Sequence, residues 1–464
     1  YLELLYTFRG EGYDLGYEIH MEGLKDGLGP SPTYDFQWLS HLPKTEYDIK
    51  NQRLKSSIAY RLGDDVEKMT PSDDRETEKL EAVVEWISFK SQFFSQMLIA
   101  EEPLDNGDVV MKTPENEEIN RIMEASLVKR FEPTNNVRDR YLMYLGPNSY
   151  TVLNAYDGLK LEDQLDMGWS LIAWINVATT YIFKFLEKYI SSYGLIIILL
   201  SIMIRLLMLP LSYKSYISMA KMRVVNQTPE IKALDVKYKD DSQKLQMAKM
   251  SIYKEMGVSM FGGCLPMLLS YPFLIALFFF FPQSVELRQQ SFLWANDLST
   301  YDSIINLPFS IPMYGDHVSL FTILMAISTF IYTYYQQQSQ PSTGANAQMK
   351  YIAYFMPIFL LVFLNSYAAG LSLYYFMSNL IQITQTTIIR KFFVNDEKIL
   401  ADLKEAQKKK GKKGKGGKGG KGGSSGGSKS RLERWVENQQ KKQQDTLKDR
   451  KRQAGPNRSS RRKK

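Results

Sequence analysis

Arg205 is the residue whose type and place most demand a chemical role. It interrupts an apolar run, Tyr193-Gly-Leu-Ile-Ile-Ile-Leu-Leu-Ser-Ile-Met-Ile-Arg205-Leu-Leu-Met-Leu-Pro-Leu211. A guanidinium keeps its charge at every accessible pH. At the centre of a bilayer it costs about 2.5–3.5 kcal/mol even on a lenient scale. Two arrangements lower that cost: the side chain snorkels to the headgroups, or it faces a hydrated recess. Ser201 stands one helical turn before the arginine, and Ser270, Tyr271, Thr322, Ser328, Thr329, Tyr374, Tyr375, Asn379, Gln382 and Thr384 lie in other apolar runs. Ser and Thr commonly join helices in membranes, so Ser378-Asn379 with Gln382 is the less ordinary signal. No Asp or Glu lies in any of these runs, which leaves water or a substrate to satisfy the guanidinium. If the guanidinium faces a recess and not the headgroups, the candidate lining is Arg205 and Ser201 with Tyr271, Thr322, Tyr374, Tyr375, Asn379 and Gln382.

Other chemistries are poorly supplied. The single cysteine, Cys264, can form no internal disulfide, and three histidines (His20, His41 and His317) give little material for a metal site. There is no G-x-x-x-x-G-K-[ST] phosphate loop. An intramembrane hydrolase needs a nucleophile beside a base, and no His, Asp or Glu lies within a span. No cofactor and no enzymatic activity are expected.

The elements that must position the arginine are five apolar runs, near 193–211, 264–281, 318–335, 349–365 and 367–388, each close to the roughly 20 residues a bilayer requires. Asn365-Ser-Tyr-Ala-Ala-Gly370 is a short turn between the last two. The segment 213–258 carries nine Lys/Arg, the loop 282–317 only Arg288, and residues 390–464 carry 26. The positive-inside rule places 213–258 and the tail in the cytoplasm and residues 1–192 outside. Arg205, six residues from Leu211, then lies about 9 Å above the cytoplasmic end of its span.

The flanking regions differ in charge. Residues 1–168 hold 18 Lys/Arg against 32 Asp/Glu, a balance of −14; residues 390–464 hold 26 against 8, a balance of +18. Tyr13–Met21, Val83–Phe89 and Arg140–Gly146 read as strands, Leu104–Asp108 as a turn, and Thr113–Phe131 as either helix or strand. A β-sandwich is expected over 1–165. Residues 166–192 interleave Trp, Tyr and Lys with apolar residues, as a helix in the headgroup plane does. Within 213–258, Met-rich helical stripes, a break at Pro229 and a polar turn at 238–241 predict a helical hairpin. The tail 391–464, with its Lys-Gly repeats, predicts a largely disordered polycation, either a ligand for ribosomal RNA or anionic lipid or a solubilising tail that follows the topology rule.

Several segments resemble one family. Ile204-Arg-Leu-Leu-Met-Leu-Pro-Leu211, Met219-Ala-Lys-Met222, Ile252-Tyr-Lys-Glu-Met-Gly257, Gly262-Gly-Cys-Leu-Pro266 and Gly370-Leu-Ser-Leu-Tyr-Tyr-Phe-Met-Ser-Asn-Leu380 look like YidC-type membrane protein insertases. Gly168-Trp169 and Val84-Glu-Trp-Ile87 fit the same pattern, while Ala368-Ala369 replaces the Pro-Ser usual before the last glycine turn. The resemblance implies a multi-domain chain: a β-sandwich periplasmic domain and a polytopic α-helical membrane domain with a five-span insertase core at 193–390. It implies a hydrophilic groove open to cytoplasm and lipid, with Arg205 and Ser201 at the family's groove positions, and a further span upstream of Tyr1. It also implies residence in a bacterial inner membrane as a multi-pass protein. Expected partners are nascent membrane proteins, the lipid bilayer, the ribosome through the basic tail, and a Sec translocon. The alternative class is a small-anion transporter or channel using Arg205; the apolar runs lack the internal repeat usual in transporters.

Overall fold

Alternation of apolar and polar residues folds the first part of the chain into strands: β1 (Leu2–Phe8), β2 (Asp14–Glu22), β3 (Thr33–Pro43), then after helix α1 (Ile49–Lys55) β4 (Ser57–Leu62), β5 (Asp65–Met69), β6 (Arg75–Leu80), β7 (Val84–Lys90), β8 (Phe94–Leu104), β9 (Asn106–Lys112), β10 (Ile119–Arg130) and β11 (Asn136–Pro147). The computed structural model describes residues 1–8, 10–23, 31–70, 73–132, 136–239, 241–258, 265–337, 344–403 and 405, with backbone alone at 242, 265–269 and 344–350. Cys264 and the tail beyond 405 lie outside these residues. One antiparallel sheet runs β1-β2-β11-β8-β7-β4-β5 and a second β3-β10-β9-β6. They face each other across a shared core that includes Ile58, Ile87, Phe89 and Leu98 from the first sheet and Val109, Met123 and Leu127 from the second. Trp38 stacks on Phe89 across that core, 4.2 Å between ring centres.

The ambiguous stretch 113–131 resolves as a loop over 113–118 followed by strand over 119–130. Every second residue of β10 from Met123 onward is buried, the period of a sheet with one face on a core, and β3 and β9 flank it. The outer face of the larger sheet carries a smaller core, Trp86, Met97 and Tyr144 beneath Leu153, Leu161 and Leu165. Trp86 Nε1 donates to the Leu159 carbonyl at 2.8 Å.

The rest is largely helical: α2 (Tyr150–Leu153), α3 (Ser170–Glu187), α4 (Tyr193–Asn226), α5 (Pro229–Lys237), α6 (Ser242–Met256) and α7 (Leu265–Phe280), then a hairpin of β12 (Ile305–Ile311) and β13 (Gly315–Val318), and α8 (Leu320–Gln337), α9 (Gly344–Leu364) and α10 (Ala369–Phe392). Helix α3 buries Ile172, Ile175, Thr179 and Phe183 and turns Trp174, Tyr181 and Phe185 outward. Among the described residues, α4 alone is both long and apolar enough to cross a membrane; shorter apolar stretches run over Ser270–Gln283 and Tyr351–Leu364. Helix α10 has the length, but Ser378, Asn379 and Gln382 are buried along it, and these residues lower its hydropathy.

Two expected boundaries move. The hairpin does not begin afresh at 213: α4 continues through Pro210 to Asn226, so its first arm is the extension of the apolar helix. Pro229 then opens α5 at its first helical position, where a missing N–H costs nothing. At the other end residues 396–403 form a further helix. Its Ile399 and Leu403, four apart on one face, enter the hairpin core with Met222, Val225, Ile231, Tyr253 and Met256.

Candidate functional site

Helix α10 packs between α4 and α8, and polar side chains meet along both seams. Arg205, half-buried on α4, donates from Nε to Ser378 Oγ at 2.7 Å. Gln385 Nε2 reaches the Arg205 carbonyl at 3.4 Å. Among the described residues no carboxylate lies within ion-pair distance of Arg205. Asn379 donates to Ser328 Oγ and Thr329 Oγ1 at 3.1 and 2.8 Å. Gln382 donates to the Tyr332 hydroxyl at 2.6 Å. Thr386 Oγ1 donates to the Tyr216 hydroxyl at 2.8 Å. These groups form a column that opens, at the far end of α4 and α10, into a cavity of about 530 Å³.

The other expected residues distribute unevenly. Tyr374 is buried beside Ser378 and Arg205. Tyr375 neighbours Tyr374 and Tyr271, and Tyr271 is exposed. Ser201 is fully buried, and its hydroxyl donates to the Ile197 carbonyl of its own helix at 2.8 Å. Thr322 belongs to a different cluster. Its Oγ1 lies 2.8 Å from Ser319 Oγ and 3.0 Å from Ser372 Oγ, at the start of α8. Sequence reasoning missed Tyr216, Tyr332, Gln385 and Thr386, and did not pair Ser378 with Arg205. The signal was the spacing 374, 378, 382, 385 and 386, one stripe of a helix.

The Thr322 end is closed. Asn365 Nδ2 donates to the Tyr314 and His317 carbonyls, and Asn365 Oδ1 accepts from Ser319 N. Asp302 accepts from Trp294 Nε1, Ser319 Oγ and the Leu320 and Phe321 amides. Tyr301 stacks on His317 at 3.6 Å. Phe292 packs directly on Gly194 at the start of α4, where a Cβ would sit 2.1 Å from its ring.

The β-domain rests on this closed end. Arg288 Nε meets both Glu46 oxygens at 2.9 and 3.1 Å, Asn51 donates to the Ser366 carbonyl, and Gln92 donates to that of Pro282. Asp166 exchanges main-chain bonds with the Gln283 side chain. Around its carboxylate stand Lys68 and the buried Lys90, at 3.4 and 3.6 Å. Burial drives the Lys90 pKa down to about 8, against the pull of Asp166. Burial would raise Asp166, but Lys90, Lys68 and Lys55 outweigh it and hold the carboxyl below its ordinary value.

One end of the helical bundle is capped by the β-domain, and the polar column opens at the other. The profile of the 60Kd inner membrane protein family matches residues 185–397, and that of the YidC periplasmic domain matches residues 1–183. Curated proteins called membrane protein insertase YidC align over most of the chain. That of Amoebophilus asiaticus is 40% identical over 416 residues, 88% of this chain and 68% of the relative. That of Bacteroides fragilis strain YCH46 is 39% identical over 424 residues, with 88% and 68% covered. That of Prosthecochloris aestuarii is 36% identical, with 88% and 70% covered. The chain belongs to the YidC membrane protein insertase family. Its β-rich part is the YidC periplasmic domain, and its helical part is the region shared by these inner-membrane proteins. Arg205, Ser378, Asn379 and Gln382 all lie within that shared region.

Proposed function

We propose that this chain inserts nascent membrane proteins through the column that begins at Arg205. The supporting observation is a permanent cation in an apolar helix, held by a neutral hydroxyl at 2.7 Å, beside a polar track leading to a 530 Å³ cavity. In this reading α4, α7, α8, α9 and α10 are five spans of a multi-pass inner-membrane protein. Residues 1–192 are periplasmic, α3 lies in the outer headgroup plane, and 391–464 are cytoplasmic. A hydrophilic client segment enters from the cytoplasm, and Arg205, Tyr374, Asn379 and Gln382 compensate its polar groups, so it avoids bare hydrocarbon. An acidic client residue gains a charge-assisted bond with the guanidinium. Tyr375 and Tyr271 line the side where the client's apolar helix leaves for lipid. Transfer of about 20 apolar residues into lipid is itself favourable, so no nucleotide hydrolysis is required. The basic tail is the ribosome contact in this reading, and a Sec translocon is a second partner.

An anion transporter would need a pathway open at both ends, and the polar knot around Asp302 and Asn365 argues against an outer opening. The test is insertion of a single-span substrate with an acidic leading segment into proteoliposomes. Arg205→Ala is expected to slow it about tenfold or more, and Arg205→Lys to restore part of the rate, because a buried charge-assisted contact is worth about 1.5–3 kcal/mol. Normal rates in both variants would remove Arg205 from the mechanism.

A further inference from the structure

The cavity below the polar column is walled by three cations, Arg223, Arg390 and Lys391, against one carboxylate, Asp396. Asp396 follows α10 and opens the helix 396–403. Both of its oxygens accept from the same nitrogen, Arg223 Nη2, at 2.7 and 3.0 Å. Arg223 Nε is buried and has no acceptor. The resident pair therefore uses only part of the guanidinium fork that a carboxylate can engage. Asp396 is also 48% exposed, and half-exposed pairs of this kind are weak. Ile399 and Leu403 of the helix it opens pack into the hairpin core, next to Met222 on α4.

We propose that Asp396 is a resident occupant of a receiving site for acidic peptide segments, which displace it from Arg223 before they reach Arg205. This rests on the insertase reading and adds to it a first stop and a competitor. A peptide fits better than a lipid phosphate for two reasons. The present occupant is a peptide carboxylate. The cavity wall also continues, through the Tyr216, Tyr332 and Gln382 side chains, into the column toward Arg205. Displacement frees the segment 396–403 from α4 and couples client arrival to the hairpin.

The experiment uses the full chain in zwitterionic nanodiscs and a fluorescent peptide bearing four acidic residues, with a twin in which these are Asn and Gln. Binding is read by anisotropy at low salt. Asp396→Asn is expected to tighten the acidic peptide about threefold to fivefold, the equilibrium weight of a weak exposed pair, and to leave the twin's affinity as it was. Arg223→Gln should abolish the preference for the acidic peptide, and Arg223→Lys should keep most of it, which separates a lost site from a lost fold. Equal gains for both peptides in Asp396→Asn, or no gain, would overturn the proposal. So would a gain that disappears when anionic phosphatidylglycerol is added at equal ionic strength, because the site would then be a lipid site. A failed exchange leaves the insertase reading standing, since that is measured separately through Arg205.

Discussion

Polar groups occur at both ends of the α4–α8–α10 bundle, and the two ends treat them differently. At the end beneath the β-domain Asp302, Asn365, Ser319 and Thr322 spend their hydrogen-bonding capacity on one another and on nearby backbone. Toward the opposite end Arg205 donates to Ser378, Gln382 to Tyr332 and Thr386 to Tyr216, along a column that opens into a cavity. Buried polar groups that close on themselves fix a structure. Buried polar groups left partly matched beside open space keep capacity for a ligand or water. The distinction separates Thr322 from Gln382, both of which the sequence places in the candidate groove.

The comparison breaks most visibly at Asp302. Asp302→Ala leaves four donors without their acceptor in a buried place, so it should cost on the order of 3 kcal/mol or more, read as a lower midpoint in thermal unfolding of the solubilised chain. A loss below about 1 kcal/mol would mean that the Asp302 knot is wet. The converse substitution is Asn379→Leu. It should change stability by less than about 1 kcal/mol, because Ser328 already donates to the Met325 carbonyl and Thr329 does the same. It should nevertheless slow client insertion, and unaltered insertion would take Asn379 out of the column.

The junction gives a smaller, pH-dependent effect. Asp166 is more than a third exposed, so Asp166→Asn should cost only about 1–2 kcal/mol, seen as faster hydrogen exchange over 160–168. The Asp166 carboxyl is depressed, so its contribution is present above the ordinary carboxylate pKa and lost as pH falls through the folded value, below about 4. Lys90 runs the other way. Its folded pKa is about 8 against 10.5 when free, so the unfolded chain holds more protons between these values and stability should rise there with pH. Lys90→Met should flatten that rise in a pH series of unfolding midpoints.

What the sequence made legible follows from the same physics. Arg205 could be found because a charge in an apolar run is an exception that needs no partner to be noticed. Its acceptor could not be found, because the phase of α10 against α4 is set by packing and not by either helix alone. Thr322 was grouped with Arg205 because a hydroxyl in an apolar run reads the same at either end of the bundle. Strand β10 was ambiguous until β3 and β9 supplied partners on both sides. The continuation of α4 past 211 was hidden by Pro210 and by the change to basic composition, neither of which ends the helix.

The central claim is that the polar column is wet from the cytoplasm and sealed outside. Single cysteines at Ser378, Gln382 and Thr322, placed in a Cys264→Ser background, can be challenged in inverted membrane vesicles with a charged, membrane-impermeant maleimide. The account predicts rapid labelling at 378 and 382 and protection at 322. Equal protection at all three positions, with the chain intact and folded, would contradict it.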